Sequence, residues 1–135
     1  MSLNRDMGKG GCAAVRFRCE LDTSQPTSRC NCSICSKSRF WKAFVPGEAF
    51  SLLQGAASLT EYRFGTSRIA HMFCSHCGLK LFGHGGRDAF AEEFYAINIA
   101  CLDDLPDDLR ADLQVVYQDG RNDDWQSTPT QTALL

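Results

Sequence analysis

The sequence predicts an all-β domain, and three observations lead there. Short runs alternate between apolar and polar residues. Gly and Pro punctuate them at regular spacing. No long amphipathic helix, coiled coil or internal repeat interrupts the series. At 135 residues, 44% hydrophobic and 22% charged, the chain is long enough to bury one ordinary core and too apolar to stay disordered.

The first nine residues lack a pattern and are expected to form a frayed leader. From Gly10 the chain enters a clean alternation. Val15, Phe17, Cys19 and Leu21 share one face, and Ala14, Arg16, Arg18 and Glu20 the other, which is a half-buried strand. Residues 22–29, with Pro26, form a loop. Phe40 to Val45 is aromatic-rich and stopped by Pro46-Gly47, giving a second strand. Residues 50–54 and 59–64 make two more, joined by a hairpin turn at Gly55–Ser58. Arg68 to Phe73 and Leu79 to Phe82 flank a tight Cys-x-x-Cys turn, and Gly83–Gly86 reads as a loop. Tyr95 to Cys101 alternates as a strand, and residues 103–113, broken by Pro106, hold at most a short helical turn. Leu113 to Tyr117 is the last strand. The domain is expected over 10–126, with a polar, mobile tail over 127–135.

Charge and cysteine usage narrow the function. A net charge of −2 and a pI near 5.9 offer no basic stripe for nucleic acid. No apolar run is long enough for a membrane span, and no signal peptide opens the chain. Eight cysteines without a secretory context point to the reducing cytosol, where clustered thiols mean metal or redox chemistry rather than four disulfides. Five thiols fall in two clusters, Cys30-Asn31-Cys32-Ser33-Ile34-Cys35 and Cys74-Ser75-His76-Cys77-Gly78. Thiolate is the ligand zinc favours, and Gly78 supplies the positive φ that a zinc knuckle needs. Two arrangements are open: one closed four-thiolate site shared between the clusters, such as Cys32, Cys35, Cys74 and Cys77, or two sites, one with a vacant position. Cys19 and Cys101 lie in strand patterns and read as buried small hydrophobes.

His71, His76 and His84 are candidates for acid–base work or a fourth ligand, although each is more simply a structural side chain. Lys37, Arg39 and Lys42 follow the first cluster and read as a solvated strand edge, with pairing to substrate carboxylates as the alternative. No phosphate-binding glycine motif is present. A thiol–disulfide oxidoreductase is disfavoured, because no helix N-terminus is predicted after either Cys-x-x-Cys to acidify it.

The segments Gly11-Cys12-Ala13-Ala14-Val15-Arg16-Phe17, Cys30–Cys35, Tyr62-Arg63-Phe64-Gly65, Phe73–Gly78 and Asp119-Gly120-Arg121-Asn122 with Trp125 occur together in order. In that combination the chain resembles the glutathione-dependent formaldehyde-activating enzyme family, which also includes centromere-protein-V-like proteins. The resemblance implies a β-tent fold and one or two zinc ions. It implies a catalytic zinc on Cys30, Cys32 and Cys35, and a structural zinc on Cys12, Cys74 and Cys77. It further implies carbon–sulfur lyase activity on an adduct of glutathione, or another thiol, with a small aldehyde, as in S-hydroxymethylglutathione. One departure stands out: Gly10 occupies the position of the family's first early cysteine, so the structural site lacks a ligand there. The competing reading is a non-catalytic zinc module for protein contacts.

Overall fold

The structure is a computed structural model, and it describes residues 3–9, 13–65, 68–86 and 92–135. Among the described residues, ten strands form two sheets. β1 (Leu3–Lys9), β2 (Arg16–Asp22) and β5 (Phe50–Gln54) make a three-stranded antiparallel sheet in the order β1-β2-β5. The other seven are β3 (Thr27–Cys30), β4 (Trp41–Pro46), β6 (Leu59–Tyr62), β7 (Ala70–Cys74), β8 (Lys80–Gly85), β9 (Phe94–Asn98) and β10 (Val115–Gln118). They run in the order β10-β3-β4-β9-β8-β7-β6, antiparallel except for the parallel pair β10 and β3. Two short helices, α1 (Ser33–Ser38) and α2 (Asp107–Ala111), complete the fold. The mainly-β class is as expected, and α2 is the helical turn anticipated after Pro106.

The β2 alternation decides the core. Val15, Phe17, Cys19 and Leu21 are all buried, as their shared face requires, while Arg16 and Arg18 are exposed. They pack onto Ala43 and Val45 of β4, Leu81 and Phe82 of β8, and Ile97 of β9. Aromatic rings lock the sheets together: Phe50 stacks on Tyr95 with centroids 3.9 Å apart, and Phe17 lies edge-on to Phe82 at 6.0 Å. Cys19 and Cys101 are buried as small hydrophobes.

Several expectations are corrected. Residues 3–9 are not a frayed leader but an edge strand paired with β2 from Leu3↔Asp22 to Lys9↔Arg16. Edge pairing is carried by backbone hydrogen bonds and needs no apolar alternation. Gly8 is buried against the Phe17 ring, where a Cβ would collide. Residues 27–29, expected in a loop, belong to β3 because β10 runs parallel to them, a pairing between remote segments. The Gly83–Gly86 run is mostly strand: Gly85 sits where a Cβ would come within 2.6 Å of Ile69 and 2.8 Å of Phe94. The turn at Gly55–Ser58 exists, but it passes the chain from one sheet to the other instead of closing a hairpin. The tail folds back, with the Leu134 carbonyl accepting from Arg39 (2.7 Å) and the Ser127 carbonyl from the Asp119 N–H (3.1 Å).

The seven-stranded sheet therefore has two uses. One face meets the three-stranded sheet. The other displays Lys42, Phe44, Phe94, Ala96, His71 and Lys80 to a cavity that α1 helps to wall.

Candidate functional site

The first cysteine cluster forms where β3 ends and α1 begins. Cys30 closes β3, Cys32 stands at the N-cap of α1, and Cys35 lies within it. The helix is bound by the Ser36 N–H to the Cys32 carbonyl (2.9 Å) and ends at Arg39, whose positive φ of 54° turns the chain into β4. This helix corrects the expectation that none follows a Cys-x-x-Cys, and it removes that objection to redox chemistry. Six residues are too few for a readable 3.6-residue period, which is why the sequence hides it. Cys30 is 1% exposed, Cys35 is also buried, and both pack with Phe40 and Ala96 in a small second core; Cys32 is half-buried and opens onto the cavity.

The three thiols are gathered in mutual hydrogen-bonding contact, and none is in a disulfide. Hydrogen bonds from Cys30 and then Cys35 hold Cys32 far below the usual thiol range, whereas bonding to Cys30 and Cys32, together with burial, pushes Cys35 up. Cys32, the sulfur that opens onto the cavity, is thus the one favoured as thiolate. The Cys32 N–H also points at Cys30 Sγ (3.4 Å). No three Cys, His, Asp or Glu groups among the described residues stand as a finished metal cage. The sulfurs are gathered rather than arranged, and their chemistry suits a soft or borderline cation such as zinc.

Asn31, between the first two thiols, was given no role by the sequence, yet it clasps a remote segment over the cluster. Its Nδ2 donates to Asp119 Oδ1 (2.8 Å), its Oδ1 accepts from the Arg121 N–H (2.9 Å), and its own N–H donates to the Gln118 carbonyl (3.2 Å). Asn122 Nδ2 donates to the other Asp119 oxygen (2.9 Å); these two amides keep the Asp119 carboxyl below its ordinary range. The clasp brings Gly120 between Cys30 Sγ and the Trp125 ring, with no room for a Cβ. Asn31→Ala is therefore expected to cost about 1–3 kcal/mol, by leaving the Arg121 N–H without its acceptor and Asp119 Oδ1 without the Asn31 donor. A thermal melt together with Trp fluorescence checks it, and an unchanged pair of readings would deny the clasp.

The second cluster lies elsewhere. Cys74 is fully buried in the main core, Cys77 is exposed, and the Gly78 N–H donates to the Cys74 carbonyl (2.7 Å) with φ of 74° at Gly78, the anticipated knuckle. Burial, then Asp103 and Cys77, push the Cys101 thiol up to about 12, so Cys101 lies within electrostatic reach of Cys77. Cys74 packs in the main core and Cys35 in the second, so the shared site of Cys32, Cys35, Cys74 and Cys77 is not assembled. Cys12 and Gly10 lie outside the described residues.

The cavity, about 800 Å³, opens beside Cys32 and Cys35. Phe44, Phe64 and Trp125 are exposed around it. Inside, Lys80 Nζ donates to Nδ1 of His71 (2.8 Å) and sits 3.9 Å over the Phe40 ring. Burial and the Lys80 charge lower the His71 pKa to about 4, so the imidazole is a neutral acceptor at pH 7. Burial also lowers Lys80. Lys42 corrects an expectation outright: it is not on a solvated edge but 7% exposed on an interior strand. The signal was there, since Phe40, Lys42 and Phe44 alternate with the buried Ala43 and Val45. Lys37 and Arg39 are exposed. His76 is exposed and bonds Ser58 Oγ (3.2 Å); His84 pairs with Glu93 (2.9 Å) and stacks on Tyr95, away from the cavity lining.

The family model for the glutathione-dependent formaldehyde-activating enzyme matches residues 6–119. The chain belongs to this family. The match holds both cysteine clusters and ends on Asp119, the first acceptor of the Asn31 clasp. A crystal structure of a Rhodobacter sphaeroides protein is similar over 82% of this chain and 99% of that one, at 27% identity and a TM-score of 0.68. Membership in the formaldehyde-activating family associates the chain with an enzyme lineage whose name points to glutathione and formaldehyde. Among the described residues, no helix is long and apolar enough to cross a membrane.

Proposed function

We propose that this chain is a zinc-dependent carbon–sulfur lyase, acting in the cytoplasm on the adduct of glutathione or another thiol with a small aldehyde, S-hydroxymethylglutathione being the type. The observation that carries the reading is a cluster of three thiols beside a large, mainly apolar cavity, with Cys32 and Cys35 in its wall and Cys30 buried in contact with them. Cys30, Cys32 and Cys35 would hold the metal. Bound there, zinc would supply Lewis-acid chemistry, stabilising a substrate thiolate or polarising a carbonyl.

In the addition, the thiol sulfur gives a lone pair to the carbonyl carbon, forming the C–S bond, and the thiol proton ends on the oxygen. Cleavage reverses both. The protein's own residues set the stage. Cys32 faces the cavity with its charge already favoured, the Asn31 clasp keeps Gly120 against Cys30, and the apolar walls limit water around the reacting sulfur. Cys74 and Cys77, with Cys12, are proposed as a structural zinc site. The knuckle turn supports that role, and its remaining ligand is left open by Gly10.

Metal analysis of the purified chain tests this. The expected result is close to two zinc ions per chain, one lost readily to a chelator together with thiol–aldehyde turnover. A single chelator-resistant zinc without turnover would favour the non-catalytic scaffold instead.

A further inference from the structure

The cavity's charge is opposite to that of its chain. The protein has a net charge of −2, yet among the described residues five of the side chains lining the cavity are Lys or Arg, and none is Asp or Glu. Lys37, Arg68 and Arg121 are exposed around it; Lys42 and Lys80 are inside. Lys42 is the unusual one. It is more than nine-tenths buried, and its Nζ has no hydrogen-bond partner among the described residues. Ser28, directly opposite it in register on β3, also has a buried Oγ without a partner among the described residues. A buried amine lacking an acceptor is costly, and an apolar residue would fill the same place without that cost. Lys42 lies within electrostatic reach of Cys32, Cys35 and Lys80, none of which supplies an oxygen acceptor.

We propose that Lys42 and Lys80 form a carboxylate-binding subsite beside the sulfur cluster, so that the ligand of this cavity carries an acid group. Formaldehyde has no such group. The acid comes either from the thiol component or from a larger aldehyde that is itself an acid; both present the same carboxylate. Phe44, Phe94 and Trp125 accommodate the apolar part of the ligand. The subsite deepens the lyase reading but does not require it, because an acid would bind there with or without turnover.

Isothermal titration of the purified full chain separates the cases with two probe pairs. Glutathione against its diethyl ester reports an acid on the thiol side. Glycolate against glycolamide reports an acid on the aldehyde side. In at least one pair, the charged member is expected to bind about tenfold tighter or more. Lys42→Met and Lys80→Met should each reduce that preference below about threefold, with binding of the neutral member kept and the thermal melt showing a folded domain. Lys42→Arg should retain part of it. Which pair responds names the source. No acid preference in the native chain, or a preference that survives in folded Lys42→Met and Lys80→Met, overturns the proposal. So does a Lys42→Met chain that loses zinc while keeping its acid preference, since Lys42 would then serve the sulfurs. An acid preference without thiol–aldehyde turnover would sustain the subsite and dismiss the lyase.

Discussion

Cys32→Ser is expected to remove the chelatable zinc and to lower thiol–aldehyde turnover by at least about a hundredfold, while the domain stays folded. Loss of an outer-shell partner alone typically costs 10–100-fold in metal affinity or activity, and a directly ligating sulfur is worth more. The fold should tolerate the change for local reasons. Cys32 is only half-buried, it belongs to no part of the main core, and it occupies the N-cap of α1, a position that serine fills well. Three readings on one preparation decide it: the zinc-to-protein ratio, turnover followed by NMR of the adduct, and a thermal melt. Retention of both zincs with full turnover would remove Cys32 from the site. A collapsed melt would make it part of a closed structural cage, because only a metal that holds the fold together takes the fold with it.

Much of this arrangement is written in local pattern. The buried face of β2 follows from period two alone, and the Cys74–Cys77 knuckle follows from the spacing of its thiols and the Gly after them. Cys30, Cys32 and Cys35 come together because three thiols within six residues have little freedom to part. What local pattern cannot carry is pairing between distant segments. β3 is too short to be seen until β10 lies beside it, and β1 is an edge held by its backbone. The functional surface suffers most from this. Asn31 gains its role from Asp119 and Arg121, some 90 positions away, and Lys80 becomes a cavity residue only because the sheet sets β8 beside β9, next to β4. Lys42 was legible in principle, through its alternation with Ala43 and Val45, but a charged residue next to a basic cluster invites the reading of a solvated edge. The structure reverses that reading because β4 has a neighbour on each side.

Phe17→Ala should be the most damaging single change to stability, at about 3–5 kcal/mol. Phe17 is fully buried, stacks on Phe50 at 5.5 Å, meets Phe82 edge-on, and covers the Cβ-less backbone of Gly8. It therefore touches the edge strand β1, the far strand β5 of its own sheet, and the opposing sheet at once. Collapse around the resulting void is limited, since rigid aromatic rings line it and cannot shrink to fill it. Against a typical total of about 5–15 kcal/mol, such a loss leaves the domain marginal, and the melt should fall by roughly 10 °C or more. The cavity lies on the other face of the seven-stranded sheet, so the zinc-to-protein ratio of the fraction still folded should stay near native. A melt lowered by only a degree or two would mean that the two sheets are not joined through this ring. A zinc ratio that falls in step with helix and strand content would mean that the sulfur cluster and the aromatic core form one cooperative unit rather than two faces of one sheet.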